Sequence, residues 1–162
     1  MIWQMIATAA VVGWMYLIFS FSAQPAVQSS QVSGSFSEGL VETVARIIGI
    51  DMTGETAARL AAAIEYPVRK AAHMTEYAIM GLLSFAFYQS FGVRKKRYVI
   101  SLMTAAAYAA TDEFHQLFVS GRSGRISDVC IDTLGAAAGL LILYFVLKLI
   151  RKHCEKKKHP LQ

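Results

Sequence analysis

Apolar and polar positions along this chain fall in long blocks, without the two-residue alternation of half-buried strands. Residues 1–21 hold no charged side chain, and between 5 and 21 only Thr8, Gly13 and Ser20 interrupt the apolar run. Further apolar blocks follow at about 67–91, 97–119 and 127–150. Crossing a hydrocarbon core of roughly 30 Å takes about 20 apolar residues in a helix. Four membrane helices, at about 3–21, 67–91, 97–119 and 127–150, are therefore expected, packed as an all-α integral membrane bundle. Pro67 is expected at the first helical position of the second, where its missing N–H costs nothing. A cleaved signal peptide is the rival reading of the first block, because Ser22-Ala23-Gln24 has the small-residue look of a cleavage site. The block lacks a basic n-region and outruns a usual h-region, which favours a retained helix.

Residues 22–66 are the one sizeable segment expected outside the membrane. Positions 24–35 are rich in Ser and Gln and read as loop. Phe36, Leu40, Val44, Ile47 and Ile48 then recur at helical spacing, with Glu38, Glu42 and Arg46 between them. Thr53 followed by Ala57, Leu60, Ala61 and Ile64 suggests a second short helix capped by Thr53. Such amphipathic helices lie on the membrane surface or lid the bundle. The expected organisation is one membrane domain over residues 1–152 and a basic cytoplasmic tail over 153–162, with no internal repeat.

Composition agrees with the pattern: 55% hydrophobic and 17% charged is more apolar and less charged than a soluble domain. Three prolines and 11 glycines exclude a collagenous or proline-rich chain. The net charge of +5 changes meaning once the charges are placed. Arg94, Lys95, Lys96 and Arg97 lie between the second and third blocks, and Lys148, Arg151, Lys152, Lys156, Lys157 and Lys158 follow the fourth. By the positive-inside rule both termini and the 94–97 turn are cytoplasmic, and the basic charge marks membrane edges, with no nucleic acid implied. Cys130 and Cys154 would stand about 36 Å apart on one continuous helix, too far to bond, so both are read as free thiols.

The uncharged parts of the third and fourth blocks, 98–111 and 133–147, span only about 21–23 Å, so polar groups at their outer ends must enter the membrane or cluster at its surface. At 100° per residue Arg69, His73, Glu76 and Met80 share one face of the second helix. Tyr108, Asp112, His115 and Gln116 share a face of the third, with Glu113 beside it, and Asp128, Asp132, Gly135 and Gly139 one of the fourth. All three faces lie toward the outer leaflet. Ionisable groups near hydrocarbon cost about 2.5–3.5 kcal/mol each at a helix centre, so they turn inward and pair.

Three readings follow. In a binding module, a cationic rim of Arg69, Lys70, Arg122 and Arg125 holds a phosphate or carboxylate, which the planar fork of arginine suits, over an acidic, His-containing floor, with Gln116 and Asp132 among the ligand-binding residues. In an intramembrane hydrolase or transferase, His73, Glu76, Asp112, Glu113, His115 and Asp128 supply acid–base groups to an activated water, since no serine or cysteine sits in a nucleophile motif. In a purely structural bundle the same charges pin helices together. A divalent metal is disfavoured by the four cations and by spacings unlike a zinc signature, so neither metal nor other cofactor is expected. Proton-coupled transport lacks a charged path through 77–91 or 133–147. Met80 and the Gly135/Gly139 pair read as packing positions.

Phe19-Ser-Phe-Ser22 with Gln24-Pro25, Lys70-x-x-His73-x-x-Glu76-Tyr77, Asp112-Glu113-x-His115-Gln116-x-Phe118, Gly121-Arg122 and Asp128-x-x-x-Asp132-Thr-x-Gly135-x-x-x-Gly139 occur here in order. In these motifs the chain resembles the VanZ-like family of small bacterial membrane proteins, over about residues 20–139. Asp132 departs from the asparagine expected in many members and adds a negative charge. The resemblance implies four membrane helices in a bacterial cell membrane and a role in the cell envelope. The family is named for low-level resistance to the lipoglycopeptide teicoplanin, and no agreed biochemical activity comes with it. The partners it implies are a membrane lipid, a lipid-linked envelope precursor, or the glycopeptide itself.

Overall fold

The computed structural model describes residues 1–52 and 54–158, and every regular element among them is a helix. In chain order these are α1 (Ile2–Ser22), α2 (Ala26–Ile48), α3 (Gly54–Ser90), α4 (Arg97–Gln116) and α5 (Ile126–Lys158). Two are long and apolar enough to cross a membrane: α1, and α5 over Ile126–Glu155. The third expected block becomes α4 nearly to its expected bounds, and the fourth becomes α5, which runs on past its expected end at 150 to Lys158.

The Ser- and Gln-rich stretch expected as loop is instead the first half of α2. Serine is compatible with a helix interior when its hydroxyl donates to the preceding turn. Ser37 Oγ donates to the Ser33 carbonyl at 2.8 Å, while Ser33 Oγ gives its proton to a carboxylate of α3 described below. Pro25 ends the preceding turn with an extended ψ of 148°, and Gly49 closes the helix at φ 73°, a left-handed conformation that glycine adopts without a Cβ penalty.

The short helix expected after Thr53 and the second apolar block are one element: α3 runs 37 residues, about 56 Å, with Pro67 inside it and not at its start. Thr53, the expected cap, lies outside the described residues. Proline there forgoes one helical hydrogen bond. The bond it omits lies one residue ahead of Val68 and Arg69, where a cavity described below begins.

α3 is the central element, packing on α1, α2, α4 and α5. Its contact with α5 is the closest. A Cβ built on Gly135 would stand 2.3 Å from the Met74 carbonyl oxygen, and one on Gly139 would stand 2.9 Å from that of Ala78. The glycine pair is thus the packing face that its four-residue spacing predicts. The core around it consists of Ile18, Tyr77, Met80, Ala105, Ala109 and Ala136. Two polar tips cross it: Trp14 Nε1 donates to the Glu76 carbonyl at 2.9 Å, and the Tyr108 hydroxyl to the Met15 carbonyl at 2.6 Å.

α2 lies on the N-terminal half of α3 through small residues, with Val41 against Ala57 and Ala61. The apolar stripe read from the sequence does not make this contact. Val44, Ile47 and Ile48 point away from the protein, while the positions one step round the helix, Ser37, Val41 and Ala45, are buried. Close approach of two helix backbones selects small side chains, so the bulkier ones are left on the outer face.

Candidate functional site

The connection between α4 and α5 sets the site. Gly121, at φ 74°, turns the chain, and Gly124 lets it pass against α4, where a Cβ would stand 2.2 Å from the Glu113 carbonyl oxygen. Ala26 N–H donates to the Ser120 carbonyl at 3.1 Å, so the start of α2 is tied to this turn. The end of α1, the start of α2, the middle of α3 and the 121–125 turn thereby meet at one end of the bundle.

The charged residues expected to converge there fall into two adjacent groups. The first is a knot between α3, α4 and α5. Lys70 Nζ stands 2.6 Å from Asp128 Oδ2. Gln116 Nε2 donates to Asp112 Oδ2 at 3.3 Å and to Glu113 Oε1 at 3.2 Å, and the backbone N–H of Arg125 donates to Glu113 Oε2 at 2.9 Å. Asp112, Glu113, Gln116 and Asp132 are all buried. The hydroxyl of Ser22 is buried beside the Asp112 carboxylate.

The second group borders a cavity of about 550 Å³ between α2 and α3. Its walls are apolar, with Val32, Phe36 and Leu40 from α2 facing Val68, Ala71 and Ala72 from α3. Its polar end presents Arg69, His73, Glu76 and Arg122. Arg69 is clasped: Nη2 donates to Ser30 Oγ at 2.8 Å and pairs with Glu65, while Ser33 Oγ donates to Glu65 Oε1 at 2.6 Å. The Ser33 hydrogen bond and then the Arg69 charge hold the Glu65 carboxyl below the usual carboxylate value. His73 Nδ1 and Glu76 Oε2 face each other at 3.5 Å without a hydrogen bond.

Arg122 differs from Arg69. Its Nε donates to the Gln24 carbonyl at 2.9 Å and Nη2 to the Phe21 carbonyl at 3.2 Å, and among the described residues no carboxylate lies within ion-pair distance of it. Burial, and then the neighbouring Arg69, lower its pKa from the ordinary value, yet a guanidinium remains charged at any physiological pH. The cavity therefore ends in a cation that makes no ion-pair contact, with Glu76, Asp112 and Glu113 acting on it only from farther off.

Of the residues read from the sequence, Arg69, His73, Glu76 and Arg122 border the cavity, whereas Lys70, Asp112, Glu113, Gln116, Asp128 and Asp132 make the knot behind it. Arg125 points its side chain to Ser123 at 3.2 Å, and His115 lies against the Phe19 ring with centroids 4.6 Å apart. Sequence reasoning missed Ser30, Ser33 and Glu65, which hold Arg69, and the α2 wall. The signal was present in the helical spacing of Ser30, Ser33, Ser37 and Val41, masked by their loop-like composition. Among the described residues no three His, Cys, Asp or Glu side chains are placed to hold a metal ion.

The sequence model of the VanZ/LLP1 family matches residues 7–148 of the chain. No curated protein and no solved structure matches it.

Proposed function

The chain belongs to the VanZ/LLP1 family, and from that premise we propose that it is a multi-pass cell-membrane protein whose cavity binds the anionic head of an envelope amphiphile. In this reading α1, α4, α5 and the apolar part of α3 span the membrane with both termini cytoplasmic, and α2 lies at the outer surface. The ligand is a lipid-linked envelope precursor or a similar amphiphile, and holding it underlies family-type, low-level resistance to glycopeptides such as teicoplanin.

One observation carries the proposal: an apolar cleft between two helices that ends in Arg122, a cation with no carboxylate in contact among the described residues, beside Arg69. An acyl or prenyl chain fits the Val32, Phe36, Leu40 and Val68 walls, and a phosphate or carboxylate suits the planar donors of arginine. The test is binding of a fluorescent polyprenyl phosphate to purified protein in detergent. Arg122→Ala is expected to weaken it by about tenfold or more, roughly 1.4 kcal/mol, with helical content unchanged and partial retention in Arg122→Lys. Equal binding by wild type and Arg122→Ala overturns the proposal.

The His73–Glu76 pair supports a second reading, acid–base hydrolysis or transfer on the same ligand, because of all the sequence-derived acid–base candidates only these two border the cavity. It requires turnover that both His73→Ala and Glu76→Gln abolish; a phenotype kept by both variants would sink it.

A further inference from the structure

At the end of the bundle opposite the cavity, a second recess of about 510 Å³ opens between the start of α4 and the last turns of α5. Arg97, Lys148, Arg151 and Lys152 border it, opposed by the carboxylate of Glu155. Among the described residues none of these four cations has a carboxylate within ion-pair distance. Arg97 is held in place: its guanidinium lies 4.7 Å from the centroid of the Phe85 ring, and Nη1 donates to Gln89 Oε1 at 3.3 Å. Its Nε is buried and has no acceptor. Four cations around one recess, facing a single carboxylate, suit an anion with several oxygens.

A third recess, of about 280 Å³, adjoins this one and is nearly all apolar. Leu102, Leu140 and Leu141 line it, and it shares Tyr98 and Tyr144 with the cationic recess. The two tyrosines pack edge to face, with centroids 6.1 Å apart, at the boundary between the charged and the apolar halves. Tyrosine is enriched at the level where lipid headgroups meet acyl chains.

We propose that these adjoining recesses form a binding site for one anionic phospholipid, its phosphate among Arg97, Lys148, Arg151 and Lys152 and an acyl chain along Leu102, Leu140 and Leu141. The assignment rests on the four-span reading, which turns this end toward the cytoplasm and therefore the inner leaflet. The site is separate from the cavity between α2 and α3. It holds a resident lipid and takes no part in recognising the envelope ligand.

The test uses the full chain in nanodiscs made from equal amounts of phosphatidylglycerol and phosphatidylcholine, extracted mildly, with bound lipid counted by native mass spectrometry. Wild type is expected to retain one phosphatidylglycerol in about tenfold preference over phosphatidylcholine. The Arg97→Gln/Arg151→Gln pair brings the ratio close to one, the Arg97→Lys/Arg151→Lys pair keeps most of the preference, and Ala137→Phe, which fills the apolar recess, reduces lipid retention. Excess inorganic phosphate leaves the lipid bound. No preference in wild type, or an unchanged preference in the glutamine pair, overturns the proposal. So does displacement by inorganic phosphate together with indifference to Ala137→Phe, which would make this a free-phosphate site. Arg122→Ala is expected to keep the phosphatidylglycerol preference while losing polyprenyl phosphate, so failure of one site is read separately from failure of the other.

Discussion

Lys70 and Asp128 show what a single pair contributes when both partners are mostly shielded. Their 2.6 Å contact joins the middle of α3 to the first turn of α5, where a carboxylate also complements the helix dipole. Removing one partner leaves the other charge uncompensated. Lys70→Ala is expected to destabilise the fold by about 1–3 kcal/mol, and adding Asp128→Asn to recover much of that, measured by thermal unfolding in detergent. The helical phase of 100° per residue put Asp112, Gln116, Asp128 and Asp132 on shared faces, which is why they were legible from sequence, whereas Lys70 lay off the face read for its own helix. The phase says nothing about which cation meets which anion. Arg69 pairs with Glu65, a turn back on its own helix, and with serines of α2, and no spacing rule links those serines to it.

Among the elements, α3 and α5 are the pair whose backbones touch, and the glycines that permit this have no substitute. Gly135→Val places methyl groups where the Met74 carbonyl already stands, so the two helices must separate. Loss of folded monomer on size-exclusion chromatography is the expected outcome, and a normal elution profile would contradict it. Gly13, with open space around it, tolerates the corresponding Gly13→Ala change. This interface was legible because small residues four apart have one dominant meaning in an apolar helix. α2 was half legible: its apolar stripe was found, its serine-rich half was not. Composition reports average preference, whereas here Ser37 donates to a carbonyl one turn back and Ser30 and Ser33 bond to Arg69 and Glu65 of α3. Pro67 misled for the opposite reason, since proline marks helix starts statistically, and here it sits on an exposed side of a long helix held along its length by other elements.

At the scale of the molecule, charge and cysteines provide independent tests of orientation. Cys130 and Cys154 are both exposed and both on α5, so they stand about 36 Å apart along one helix, more than a bilayer core. A membrane-impermeant maleimide applied to intact cells is expected to label Cys130 in a Cys154→Ser variant and to leave Cys154 unlabelled in a Cys130→Ser variant. The reverse pattern would invert the orientation drawn from the basic residues. The all-helical build and the two apolar helices α1 and α5 were legible because long apolar blocks have few alternatives; the division of the polar cluster into knot and cavity was not, because it depends on where α2 comes to rest. That position has a kinetic side. α2 packs chiefly on α3, is tied to the turn by the Ala26–Ser120 bond and to α3 by the Arg69 clasp, and forms one entire wall of the cavity. On the proposed reading an occupant of the cleft lies against this wall, so anything that loosens α2 from α3 shortens the lifetime of the complex.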